Sequence, residues 1–168
     1  LVVAATASGK TFIGEMAGIK NHLENKGCML FLVPLVALAN QKYSRFSQRY
    51  GPILSVGLRT GVSRLNLPET RVKANRNINS GIVVATYEGI DHHIRQGNPL
   101  PKIGTVVIDE VQMLEDSERG HRLDGLITRL KVLAPDAQFL YLSATIGVPG
   151  LLAVLCWVHT LGLCKVSF

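Results

Sequence analysis

The stretch Thr105-Val106-Val107-Ile108-Asp109-Glu110 decides the fold. An apolar run of strand length, Thr105 to Ile108, stops abruptly at two adjacent carboxylates. A strand with one wet face alternates apolar and polar residues, whereas a strand covered on both faces is apolar throughout. The same unbroken character appears in Cys28 to Val33, stopped by Pro34, in Gly81 to Ala85, and in Gln138 to Leu142. Leu1 to Ala5, Ile53 to Leu58 and Cys164 to Phe168 read as further strands. Amphipathic stretches of helical length lie between them: Thr11 to Asn25 (ended by Lys26-Gly27), Leu35 to Arg49, Tyr87 to Arg95, and Pro149 to Leu161. Leu123 to Leu133 carries its apolar residues at 123, 126, 127, 130 and 133, a helical stripe. Strands separated by helices imply parallel crossovers, so the expected architecture is a three-layer α/β domain around a mostly parallel sheet.

Length and composition agree with that reading. The chain has 168 residues, 47% hydrophobic and 18% charged, enough apolar material for one packed domain spanning 1–168. Disordered, collagenous, coiled-coil and disulfide-scaffold classes are excluded. Cys28, Cys156 and Cys164 are odd in number and lack paired spacing, which fits a reducing cytoplasm. The longest nearly uncharged stretch, Val148 to Leu163, contains Pro149, Gly150, His159 and Gly162 and makes a poor membrane span. The opening Leu1 to Thr11 lacks the basic leader of a secretory signal, and a chain without an initial Met is expected to be a piece of a longer one. A net charge of +6 suits a nucleic-acid or nucleotide partner, and basic residues concentrate loosely from Arg59 to Arg76.

Ala4-Ala5-Thr6-Ala7-Ser8-Gly9-Lys10-Thr11, between a strand and a helix, resembles the phosphate-binding pattern GxxxxGK(S/T), with Ala4 in place of the first glycine. Small residues let the backbone curl so that successive N–H groups face a phosphate, and the following helix adds its positive end. Lys10 would reach the β- and γ-phosphates, and the Thr11 hydroxyl would take one position on Mg²⁺. At the second strand end, Asp109 would hold the metal and Glu110 would polarise an attacking water. Ligands of open α/β sheets bind outside the carboxyl ends of strands, where both motifs fall. Ser143-Ala144-Thr145 follows another buried strand and so comes to the same edge.

Taken in order, Ala4–Thr11, Asp109–Gln112 and Ser143–Thr145 resemble the first RecA-like domain of superfamily 2 helicases. Phe31 to Lys42 is similar to helicase motif Ia, Thr60-Gly61 to motif Ib, and Ala85 to Asp91 to the next nucleic-acid motif. Glu118-Arg119-Gly120 is typical of the superkiller-like branch, and Arg122 to Ile127 looks closest to archaeal members. The resemblance implies an ATP-dependent helicase using ATP and Mg²⁺. It implies nucleotide contacts from Thr6, Ala7, Ser8, Gly9, Lys10 and Thr11, and metal contacts from Thr11 and Asp109. Glu110 would be the catalytic base, with Asp109 and Lys10 beside it. Gln112, Ser143 and Thr145 would couple hydrolysis to movement, while Pro34, Thr60, Gly61 and Thr86 would track DNA or RNA, mainly at its phosphates.

The chain departs from the family pattern at several points. The acidic box is usually DExH or DEAD, but its fourth residue here is Gln112, whose amide is expected to bridge to the Ser143 segment. Val36 stands where a basic residue is common, and Val62 stands where an acid often follows motif Ib. The adenine-reading Q motif would precede Leu1, and a second RecA-like domain with the arginine finger would follow Phe168, so the chain alone is expected to have little or no turnover. Two other classes remain open: a non-helicase P-loop enzyme, and a non-catalytic nucleic-acid-binding module with this fold. His92-His93 reads as a solvated helix face. Cys156, His159 and Cys164 lack a fourth ligand, so no structural zinc is expected.

Overall fold

The structure, a computed structural model, describes residues 2–3, 9–61 and 76–144. Its elements run β1 (Val2–Val3), α1 (Lys10–Leu23), β2 (Cys28–Val33), α2 (Val36–Tyr50), β3 (Val56–Arg59), β4 (Ile82–Thr86), α3 (Tyr87–Arg95), β5 (Ile103–Ile108), a 3₁₀ turn (Val111–Glu115), α4 (Gly120–Leu133) and β6 (Gln138–Ser143). The sheet order is β1-β6-β5-β2-β4-β3, and every neighbouring pair is parallel. The expected α/β class and parallel sheet are therefore present. The helix expected over Pro149 to Leu161 and the strand over Cys164 to Phe168 lie outside the described residues, as do Thr6, Ala7, Ser8 and Thr145.

The unbroken apolar runs have a simple origin. Alternate residues of each strand face opposite layers, and both layers are dry. Leu30, Leu32, Val106 and Ile108 join Ile90 of α3 and Leu123, Leu126, Ile127 and Leu130 of α4 on one side. Met29, Phe31, Val84 and Val107 join Ala39, Tyr43, Phe46 and Tyr50 of α2 on the other. Phe46 anchors α2, meeting Phe31 edge-to-face at 5.3 Å between ring centroids. α1 lies on this second side and approaches closely because it presents glycine there. A Cβ on Gly14 would stand 2.9 Å from Val107 Cγ1.

Several boundaries differ from the sequence expectation. β3 begins at Val56, not Ile53, because the Ile53 and Leu54 amides both donate to Tyr50 O at 2.8 Å and close the end of α2. Ile53 is left 77% exposed. α4 begins at Gly120 because the Asp116 carboxylate accepts from the Glu118 and Arg119 amides, both at 2.9 Å, and organises its entry. The 3₁₀ turn after Glu110 was not expected. Of the two histidines read as solvated, only His92 is exposed; His93 is buried and its Nε2 donates to Pro99 O at 3.2 Å. Cys28 is a free, buried thiol, and burial pushes its pKa up to about 11.

Phe46→Ala should lower the unfolding free energy by about 3–5 kcal/mol in a urea titration, while Ile53→Ala should change it by less than about 0.5 kcal/mol.

Candidate active site

The site forms where parallel strands end. Gly9, with φ of +87°, makes the turn into α1, and Lys10 is the first residue of that helix and buried. Asp109 follows β5 and keeps the sheet's pairing for one more step, its amide donating to Leu32 O at 2.9 Å. Its carboxylate faces α1. Between the two stands the ammonium of Lys42, reaching in from α2. Lys42 Nζ donates to Thr11 Oγ1 at 2.8 Å and lies 3.3 Å from Asp109 Oδ2. Both side chains of the ion pair are nearly enclosed, at 14% and 11% exposure, and Lys42 Nζ also sits 5.2 Å from the Phe31 ring centre. Thr11 and Asp109, far apart in sequence, therefore direct oxygens at one cationic point.

Hard oxygen donors converging on a positive charge suit Mg²⁺ in chemistry. Among the described residues no group of three or more His, Cys, Asp or Glu side chains gathers as a metal site. A magnesium ion at this point would depend on waters and phosphate oxygens for its remaining contacts, as Mg²⁺ commonly does.

A second polar chain starts at Glu110. This residue adopts the left-handed conformation, φ 59° and ψ 44°, a geometry that costs a side-chain-bearing residue about 1–3 kcal/mol and is commonest at functional sites. The twist turns the Glu110 carboxylate toward Gln112, whose Nε2 donates to Glu110 Oε2. Gln112 Oε1 in turn accepts from Ser143 Oγ at 2.8 Å. An amide can accept on one side and donate on the other; a carboxylate at position 112 could not donate to Glu110 without a proton. The expected bridge from Gln112 to the Ser143 segment is thus a direct hydrogen bond. Beneath the site, the Tyr87 hydroxyl donates to the Asp109 carbonyl. Burial first, and then the charges of Asp109, Glu110 and Glu88, hold the Tyr87 pKa well above the ordinary tyrosine value, so it remains a donor.

Beside this region a cleft of about 800 Å³ opens between α2, α3 and the start of α4. Pro34, Gly61 and Thr86 line it, as do Val36 and three arginines, Arg95, Arg119 and Arg122. Thr60 precedes Gly61 but is not among the lining residues. Thr86 has a structural duty that fixes the cleft wall: its Oγ1 accepts from Gly89 N at 3.1 Å, capping α3, and from Gly61 N at 3.3 Å. Gly89 permits that approach, since a Cβ there would lie 2.7 Å from Arg59 O. The sequence reading did not single out Lys42 for the site or the three arginines for the cleft. Arg119 and Arg122 entered the sequence analysis only as part of the stretches that resemble the superkiller-like branch and its archaeal members.

A family model described as DEAD/DEAH box helicase matches residues 1–151. The chain belongs to that family. The probable ATP-dependent helicase MJ1401 of Methanocaldococcus jannaschii is 53% identical over 154 residues, covering 91% of this chain and 19% of the relative. The ATP-dependent DNA helicase Hel308 of Pyrobaculum calidifontis is 38% identical over 151 residues, 89% of this chain and 20% of that protein. The chain thus spans about a fifth of the length of these curated DEAD/DEAH box relatives. Among solved structures, S. cerevisiae Dbp5 bound to RNA and ADP BeF3 superposes with a TM-score of 0.66 at 18% identity, covering 92% of this chain and 38% of that one. A Dbp5 complex with Nup159, Gle1, IP6 and ADP gives 0.68 at 21% identity, over 94% and 40%. At these identities the likeness establishes the shared RecA-like fold.

Thr86→Ala should cost about 1–2 kcal/mol of stability through loss of the α3 cap, and Thr86→Ser should retain most of it, both read by thermal or urea unfolding.

Proposed function

We propose that the chain is the ATP-binding motor domain of an ATP-dependent nucleic-acid helicase, the first of two RecA-like domains. The observation that carries this reading is the convergence of Thr11 Oγ1 and Asp109 Oδ2 on one cation position beside the buried Lys10, at the same sheet edge as the arginine-lined cleft. Membership of the DEAD/DEAH box family supports it and argues against a P-loop enzyme of another kind.

In this reading the backbone of Thr6, Ala7, Ser8 and Gly9 cradles the phosphates of ATP, and Lys10 neutralises the β- and γ-phosphates. Thr11 and Asp109 would hold Mg²⁺, which when bound would draw charge from the phosphate oxygens. Glu110 orients the attacking water and accepts its proton. Gln112 fixes the rotamer of that carboxylate by donating to it, and Ser143 fixes Gln112 in turn. Any change in the Ser143-Ala144-Thr145 segment is then felt at the base through a neutral amide, the basis of coupling between hydrolysis and movement. Pro34, Thr60, Gly61 and Thr86 belong to a nucleic-acid track in which Arg119 and Arg122 supply positive charge, Arg95 being paired with Asp91. Contacts of that kind read phosphates and are largely indifferent to sequence.

The partner is single-stranded or partly duplex DNA or RNA, together with a second RecA-like domain of the same protein. An arginine finger, here expected from the second domain, accelerates phosphoryl transfer by about 10³–10⁵, so this domain alone would turn over slowly. No helix among the described residues is long and apolar enough to cross a membrane. A reducing cytoplasm is the compartment that the cysteine usage supports.

Lys10→Ala should abolish measurable binding of a fluorescent ADP analogue; unchanged affinity would remove the nucleotide reading. In the intact protein, Glu110→Gln should preserve ATP binding and lower nucleic-acid-stimulated hydrolysis by about 10²-fold or more, measured as phosphate release. Retained hydrolysis would reassign the base.

A further inference from the structure

We infer that Lys42 is a built-in counter-cation that occupies the metal position in the metal-free protein and must withdraw when Mg²⁺ arrives. The inference rests on the reading of Thr11 and Asp109 as metal ligands. Lys42 donates to the Thr11 hydroxyl at 2.8 Å and lies 3.3 Å from the Asp109 carboxylate. Those are the two protein oxygens that a magnesium ion would share. Magnesium binds oxygens at about 2.0–2.1 Å, so an ion held by the Thr11 hydroxyl would lie within about 5 Å of an unmoved ammonium. Two cations in an enclosure this dry repel strongly, and the monovalent one sits on a flexible four-carbon stem able to move.

The arrangement answers a physical requirement. Asp109 is buried at the end of a strand covered on both faces. A carboxylate in that setting needs a compensating charge whether or not nucleotide is present. Lys42 supplies it from the middle of α2, steered along the Phe31 ring. The same helix begins at Val36, which lines the arginine-bearing cleft. Release of the ammonium would therefore remove the Lys42 tie between α2 and the end of β5 at the moment that metal and nucleotide load, and a ligand that moves Lys42 from the cleft side would alter metal affinity in return. Lys42 is a positioning residue in this scheme; the phosphate contact is left to Lys10.

The test uses the intact protein and measures binding, not turnover. Fluorescent ADP binding is titrated against MgCl2 in the wild type, in Lys42→Met and Lys42→Gln, and in each combined with Asp109→Asn. The two neutral replacements differ in polarity, so misfolding of one leaves the other. Removal of the ammonium should lower the half-saturating Mg²⁺ concentration by about fivefold or more, and ADP affinity at saturating Mg²⁺ should stay within about twofold of wild type. The Lys42 effect should vanish in the Asp109→Asn background, where no buried charge is left to contest. An unchanged or higher Mg²⁺ requirement in the Lys42 variants would overturn the inference, as would a loss of ADP affinity at saturating Mg²⁺, which would make Lys42 a phosphate ligand. Failure of the underlying reading looks different: Asp109→Asn alone would leave the Mg²⁺ dependence untouched.

Discussion

A carboxylate at the end of a doubly buried strand cannot be left alone. Asp109 is carried into the interior by the burial that makes Val106, Val107 and Ile108 good strand residues, and the cost of an unpaired charge there amounts to several kcal/mol. The surroundings answer with the Lys42 ammonium, with the Glu110 amide donating to Asp109 Oδ1 at 3.2 Å, and with a Tyr87 hydroxyl on the Asp109 carbonyl. These partners come from α2, from the turn after β5 and from α3. One residue, through its carboxylate and its carbonyl, thereby ties together elements on both faces of the sheet, and the site inherits its rigidity from the packing beneath.

Much of the fold was legible because burial on both faces writes itself into sequence as an unbroken apolar run. Cys28–Val33 and Tyr87–Arg95 have the expected bounds, since Pro34 ends one and Thr86 caps the other. The orientation of α1 was not legible. Its period announces a helix, yet Gly14, Glu15, Gly18 and Asn21 are buried while Phe12, Ile13, Met16 and Leu23 are exposed. Hydrophobicity alone would turn that helix the other way. Close approach to Met29 and Val107 demands glycine on the inner face, while Glu15 enters a buried ion cluster and Asn21 donates to Thr105 and Gln138.

The strand-end motifs were equally legible: Asp109, Glu110 and Ser143 are placed by chain termini of strands, which composition marks. Lys42 was not, because a lysine in an amphipathic helix reads as a solvated side chain. Only the sheet order, with β2 beside β5, carries α2 over Asp109. The physical signal was nevertheless present in the expectation that the strand ending at Asp109 is covered on both faces, since an acid at the end of such a strand calls for a cation nearby. The strained backbone of Glu110 was invisible for another reason: no residue type announces a positive φ other than glycine, asparagine or aspartate.

α1 and α2 are joined twice, and the two joints differ in kind. Near the site the link is Lys42 to Thr11, nearly enclosed but made by a flexible side chain that another cation can replace. Farther along, Glu15 of α1 is fully buried and meets Tyr50 Oη at 2.7 Å and the guanidinium groups of Arg45 and Arg49 at 3.4 Å each. Burial, reinforced by the Glu15 carboxylate, pushes the Tyr50 pKa up to about 12, so this phenol stays a donor across the working range. Removing one partner from such a cluster strands a buried charge, whereas exchanging Lys42 for a metal does not. The Glu15 cluster is therefore the permanent joint between the two helices and the Lys42 contact the exchangeable one. Lys42 stands midway along α2, between that permanent joint and Val36, which borders the cleft, so the exchangeable contact lies between the fixed end and the cleft.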